Sequence, residues 1–211
     1  MSPRASGAVR RARAVLEREG LLLLHDAELP SVSTLVAGEP VRGSWWGHPA
    51  GKAIFHVAEA LEAETALVKL VRGKVTFVHR RLWPELAAVG RERAPWQIDG
   101  LADDAARVLE LVEERAWIGS EEIELAPGRR ELAAVVTDLE RRLLVFAHQE
   151  HAQGSGRHVR VLRSWRRWCR DAGLRARELP GGAAARARLE APVRAWLAEG
   201  ARAALPWGRS C

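Results

Sequence analysis

The sequence has few features of a secreted, membrane-spanning or metal-stabilised protein. Its only cysteines, Cys169 and Cys211, have no CxxC pair and no partner at metal-ligand spacing, so they give no ground for a disulfide framework or a zinc finger. No apolar run approaches the roughly 18 residues that span a bilayer. The arginine-rich N-terminus lacks the apolar segment of a secretory signal. We therefore expect free thiols, no membrane segment and a cytoplasmic location.

Motifs for nucleotide hydrolysis and metal binding are also missing. The segment from Gly47 to Lys52 approaches a phosphate-binding loop, but GxxxxGK[ST] requires glycine and Ser or Thr where Trp46 and Ala53 stand. The run HQEH at 148–151 places two histidines three residues apart on a predicted strand end, and HExxH is absent. The sequence therefore predicts no metal site and no cofactor.

What the chain does have is a globular composition and an uneven charge. It has 211 residues, 47% of them hydrophobic and 28% charged, which leaves room for one large domain or two small ones. Residues 155–211 carry 13 arginines and 4 acidic residues, a net charge of +9, whereas residues 1–154 carry 20 basic and 23 acidic residues, a net charge of −3. Such asymmetry favours a polyanionic partner.

The second half of the chain contains the most informative pattern. Periodicity predicts a helix over 128–142, with Leu132, Val135, Val136 and Leu139 on one face. The segments LLVFAH and HVRVL then predict a hairpin around the glycine-rich AQGSGR. A helix over 103–115 and a short one over 120–125, capped by Ser120, precede this pair. An arginine-edged helix before a basic hairpin is typical of a winged helix bound to DNA.

The first half has the same order of predicted elements. Helices over 8–19, 29–37 and 51–62 precede a hairpin with Arg72-Gly73 at its tip. The sequence therefore predicts a mainly α fold with short β-hairpins (α+β), made of two tandem winged-helix-like modules. We expect these modules at 1–92 and 93–163, followed by a basic C-terminal helical extension over 164–211.

Two groups of side chains are candidates for contact with nucleic acid. The arginine fork suits phosphate and guanine, and an exposed tryptophan can stack on a base. The candidates on the second module's helix and hairpin are Arg129, Arg130, Thr137, Arg141, Arg142, Arg157, His158 and Arg160, and those in the first module's loop are Trp45, Trp46, His48 and Lys52. The alternatives are a solvated helix face that pairs its arginines with nearby acids, and a tryptophan pair that closes a gap between helices.

The two module-like halves, with the segment 139–165, resemble the bacterial winged-helix DNA glycosylases that unhook interstrand crosslinks and excise bulky alkylated bases. That family carries a Gln-apolar-Asp motif, which Gln97-Ile98-Asp99 matches. The resemblance implies that Asp99 stabilises an oxocarbenium-like sugar or activates water, and that Gln97 positions this water. The motif here lies in the segment 90–101 that joins the modules, at the start of the second module and not in the first, and the chain is shorter than those enzymes.

The predicted function is binding of double-stranded DNA, with a role in DNA repair as one expectation. One alternative is a DNA glycosylase that excises alkylated or crosslinked bases. Others are a helix-turn-helix transcriptional regulator and a protein-interaction scaffold, the latter because the first module is acidic around Glu59, Glu62 and Glu64. A protein partner is compatible with each of these, since one fold serves many functions.

Overall fold

The computed structural model describes residues 3–125, 129–151 and 158–208. The chain forms two compact units: Met1–Trp83 with Arg186–Cys211 is unit 1, and Pro84–Ala185 is unit 2. This division differs from the predicted modules and extension, because the C-terminal segment is split between the two units.

Unit 1 combines helices with one three-stranded antiparallel sheet. In chain order it contains α1 (Pro3–Glu19), β1 (Leu21–Leu23), α2 (Val32–Ala37), α3 (Gly51–Glu62), β2 (Thr65–Lys69) and β3 (Val75–His79). Strand β3 lies between β1 and β2, so that Leu22 and Leu67 both pair with Phe77. Helix α3 buries Ile54, Val57, Ala58 and Leu61 in the core, at the spacing of an amphipathic helix.

The structure identifies the N-terminal cap of α2 and confirms the predicted turn at Arg72-Gly73. The Ser31 hydroxyl accepts a hydrogen bond from the backbone N–H of Thr34 at 3.3 Å and so caps α2. Arg72 and Gly73 both have left-handed backbone conformations, with φ of 55° and 65°. The Lys74 N–H donates to the Val71 carbonyl at 2.9 Å across them, as in a two-residue hairpin turn.

Unit 2 repeats much of this arrangement. Its elements are α4 (Trp83–Gly90), α5 (Pro95–Ile98), α6 (Asp103–Arg115), β4 (Trp117–Gly119), α7 (Arg129–Arg141), β5 (Phe146–His151), β6 (His158–Arg163) and α8 (Trp165–Asp171). The first residue of α4, Trp83, is the last residue of the N-terminal segment of unit 1. Strand β6 lies between β4 and β5, which gives the same strand order as in unit 1. The last helix, α9 (Gly182–Ala198), contains Pro192 and runs from unit 2 into unit 1.

The structure confirms the α+β class and corrects the sequence prediction in three places. The central strands of both sheets have an additional partner, β1 and β4, where only hairpins were predicted. The segment after β4 is a single 3₁₀ turn, Ser120–Glu122, and not an α-helix. Ser120 is the first residue of this turn and not its cap. The N-cap position is Gly119, whose N–H donates to the Glu122 carboxylate at 3.0 Å. None of the helices described has the length and apolarity required to cross a membrane.

Candidate nucleic-acid interface

Helix α7 has one buried and one exposed face, as its periodicity predicts. Val136 and Leu139 are fully buried in the core of unit 2, while Ala133, Ala134 and Arg141 are exposed. Two small exposed side chains allow another surface to approach the helix closely. The outer face of α7 therefore carries an exposed acid, Glu131, in its first turn, two small side chains in its middle and a cation at its C-terminal end.

Several predicted residues at the ends of α7 and of the hairpin are only partly described. Arg129 and Arg130 form the first turn of α7, but their side chains lie outside the described residues, as does all of Arg157. His158 begins β6, and its side chain also lies outside the description. Thr137 is half-buried in the middle of α7 and makes contacts of its own.

The two arginines at the end of α7 have different environments. Arg141 is exposed and makes no ion pair among the described side chains. Arg142 donates from Nε to both carboxylate oxygens of Asp138 at 3.0 Å, and from Nη1 to the carbonyls of Gln97 at 3.1 Å and Asp99 at 2.9 Å. Because its donors are already bonded within unit 2, Arg142 is a structural residue, while Arg141 is available to a phosphate.

The hairpin arginine that the structure describes is also engaged. The Arg160 guanidinium forms an ion pair with the Glu140 carboxylate, which joins β6 to α7. This pair is partly buried, with side-chain exposures of 32% and 11%, so its loss would expose an unpaired charge to a less polar environment. The alternative of internal pairing therefore holds for Arg142 and Arg160.

The segment that matches the glycosylase motif has a structural role at Gln97. Its side chain is fully buried, and Oε1 accepts the Ala94 N–H at 3.0 Å. Nε2 donates to the carbonyls of Arg142 at 3.0 Å and Leu143 at 3.4 Å. Because this amide is buried and bonded to backbone groups, it has a structural role, and the catalytic role that the resemblance implies for Gln97 stays a prediction.

Asp99 follows α5 and is exposed. Its backbone carbonyl accepts from Arg142, and its carboxylate has no hydrogen bond among the described residues. Asp99 also precedes α6 by several residues, and the N-cap position of that helix is occupied by Ala102. The segment 94–99 therefore holds the C-terminal end of α7 in place.

Helix α8 carries two cations that the sequence analysis did not single out. Trp165 and Trp168 are buried against Phe146, with ring centroids 5.9 and 5.3 Å away. Arg166 and Arg170 are therefore directed outward, exposed and without an ion pair among the described residues. The sequence SWRRWCRDA could have predicted these exposed arginines. Its two tryptophans mark the buried face of the helix, and the two arginines, four residues apart, share the exposed face.

The loop before α3 forms an exposed aromatic surface in unit 1. Trp45 and Trp46 lie in a 3₁₀ turn and stack with ring centroids 4.1 Å apart. Trp46 is 64% exposed and Phe55, on α3, is 41% exposed, with their centroids 5.5 Å apart. Trp45 packs against the core. The structure therefore packs Trp45 against the core and leaves the Trp46 ring open.

The remaining two predicted residues flank these rings. His48 uses Nδ1 to accept the Ala50 N–H at 3.1 Å, and its Nε2 lies 4.0 Å from Glu39. It therefore shapes the loop. Lys52 is exposed on α3 and forms no ion pair among the described residues.

The distribution of charge between the units differs from its distribution along the chain. Unit 1 contains 17 basic and 10 acidic residues, a net charge of +7, whereas unit 2 contains 16 basic and 17 acidic residues, a net charge of −1. The positive charge of the C-terminal third is therefore shared between two units, and most of the net charge lies in unit 1. Unit 2 retains local cations at Arg141, Arg166 and Arg170.

The described residues contain no cluster of three or more His, Cys, Asp or Glu side chains that could hold a metal ion. Cys169 is buried, and this burial raises the pKa of its thiol. Comparison with known proteins finds no matching family model, no matching curated protein and no matching solved structure.

Proposed function

We propose that this protein is a cytoplasmic double-stranded DNA-binding protein built from two winged-helix modules. The observation that carries the proposal is the repeated topology. Both units place a helix directly before a hairpin and pair the last strand with both others. Such an arrangement presents one helix to a major groove and a hairpin to the neighbouring backbone.

The exposed residues of unit 2 support this function. The exposed residues of α7 include Ala133 and Ala134, which lie between Glu131 and Arg141 and leave room for another surface beside the middle of the helix. Arg141, Arg166 and Arg170 are exposed and have no internal ion pair among the described residues. Free guanidinium groups of this kind bind phosphate oxygens well, because each can donate two parallel hydrogen bonds.

Unit 1 contributes the long-range attraction. With a net charge of +7 it attracts a polyanion, and the near-neutral unit 2 does not oppose this attraction strongly. Both units therefore take part in the proposed binding. The engagement of Gln97 with backbone groups favours a DNA-binding protein over a glycosylase.

The test compares two double variants of the same charge. Arg166→Ala/Arg170→Ala removes the two α8 arginines that form no ion pair among the described residues. Arg107→Ala/Arg115→Ala removes two exposed arginines from α6, whose ion pairs within the described part of the chain are with Asp104 and Glu122. Binding to a blunt duplex is measured by fluorescence anisotropy over a series of salt concentrations. The slope of log K against log salt should become shallower by about 2 in the α8 variant, or about 1 for each lost phosphate contact.

The α6 variant should keep the slope of the unmodified protein. Equal changes in both variants would show that only net charge matters, which would contradict a defined phosphate contact at α8. Absence of binding by the unmodified protein at low salt would overturn the proposed function itself.

A further inference from the structure

We infer that unit 1 binds an unpaired nucleobase on its aromatic platform, defined as the rings of Trp45, Trp46 and Phe55. This inference rests on the proposed DNA binding and names the DNA feature that unit 1 recognises. One face of Trp46 stacks on Trp45 at 4.1 Å, and the ring remains 64% exposed. An open indole beside a second exposed ring offers a stacking surface of the kind that binds bases without regard to their identity.

The platform is held in place before any ligand arrives. Trp45 is packed against the core of unit 1, and the His48 ring accepts the Ala50 N–H. Gly51 lets α3 begin directly under the loop, since a Cβ there would lie 2.9 Å from the carbonyl oxygen of Trp46. A ring already fixed in its bound position loses little freedom when a ligand stacks on it.

The size of the platform fits a base better than a folded protein. Among the described residues of unit 1, the large apolar side chains that are exposed are Trp46, Phe55 and Leu197, and the last is on α9. A stable protein interface covers about 800 Å² on each partner, which is much more than two rings provide. One or two stacked bases need only the rings.

Charge fixes the end of the platform at which the sugar-phosphate chain would lie. Lys52 is three residues before Phe55 on α3, so both are on one face of the helix. Glu59 is four residues beyond Phe55 on the same face and is exposed. A strand whose base stacks on Trp46 would therefore run past the Lys52 end, where its phosphate is attracted, and away from Glu59.

The experiment compares a blunt duplex with the same duplex carrying a short single-stranded thymine overhang. The unmodified full-length protein should bind the overhang duplex about tenfold more tightly, within the range of a single base–aromatic stack. Trp46→Ala should abolish this preference, so that the variant binds the two duplexes with equal affinity. Phe55→Ala, a substitution at an exposed helix position, should weaken the preference and serves as the second variant if Trp46→Ala is poorly folded.

Trp117→Ala is the matched control, because Trp117 is a 48% exposed tryptophan of unit 2 and its removal should leave the preference intact. Equal loss in the Trp46 and Trp117 variants would overturn the inference. Equal affinity of the unmodified protein for both duplexes would also overturn the inference, while the proposed function would stand. Binding to neither duplex would overturn the proposed function.

Discussion

The buried amide of Gln97 has a structural role in the segment 94–99, and replacement of Gln97 by leucine tests this role. The substitution keeps the volume of the side chain nearly constant and removes its amide. It eliminates the hydrogen bonds with the Ala94 N–H and the Arg142 carbonyl, both 3.0 Å long, and the longer one of 3.4 Å to Leu143. Each group left buried without a partner costs about 1–3 kcal/mol.

Two good hydrogen bonds lost from a fully buried site correspond to a loss of about 3 kcal/mol in the free energy of unfolding. Unit 2 spans Pro84–Ala185, a size at which each kcal/mol lowers Tm by about 4–8 °C. We therefore expect Gln97→Leu to lower the Tm of unit 2 by about 12–24 °C, measured by near-ultraviolet circular dichroism.

The control is Asp99→Asn, which changes an exposed carboxylate that has no hydrogen bond among the described residues. It should change the free energy of unfolding by less than about 0.5 kcal/mol. A Gln97→Leu variant with unchanged Tm would refute the structural role. Release of a base from alkylated duplex DNA that is lost in both variants would instead support a catalytic motif.

Two further predictions concern stability. Gly90→Ala should lower the free energy of unfolding by about 1–3 kcal/mol in denaturant titrations, because the new Cβ would overlap the buried indole of Trp165, whereas Gly181→Ala meets no neighbouring atom and should be neutral. The carboxylate of Asp26 is buried, which alone would raise its pKa, but hydrogen bonds from Lys74 and two backbone N–H groups outweigh this and hold the pKa below its ordinary value of 3.8. The charged carboxylate therefore stabilises the fold at pH values above the ordinary pKa of 3.8. The unmodified protein should exceed Asp26→Asn in free energy of unfolding by the full amount at about pH 6, and this difference should diminish as the pH falls through the lowered pKa. A difference that stays constant down to pH 2 would contradict this reasoning.

Elements with strong local signals were predictable from the sequence. Helices α3 and α6 begin and end at the predicted residues, because each has an unbroken apolar face. The two-residue turn at Arg72 and Gly73 was also predictable, since glycine readily adopts the left-handed conformation that such a turn needs. Strand β1 was not, because the run of four leucines that contains it, Leu21–Leu24, has no alternation to distinguish a strand from other buried structure.

The candidate site was less predictable, because its electrostatics depend on contacts between distant residues. Arg142 could have been assigned to Asp138 from their spacing of four, but nothing local indicates that Arg160 pairs with Glu140. The C-terminal segment from Arg186 belongs with the N-terminal residues in unit 1. For this reason the strongly basic end of the sequence does not form a basic domain of its own.

The central claim is that this protein binds double-stranded DNA through its cations. The most direct test is the affinity of the unmodified full-length protein for a blunt duplex of mixed sequence. It is measured at salt concentrations from about 50 to 300 mM, over which the loss of phosphate contacts lowers the affinity. We expect binding at low salt that weakens steeply as salt is added, with a linear plot of log K against log salt, because each phosphate contact releases counterions. Absence of binding at the lowest salt concentration, or binding that does not change with salt, would contradict it.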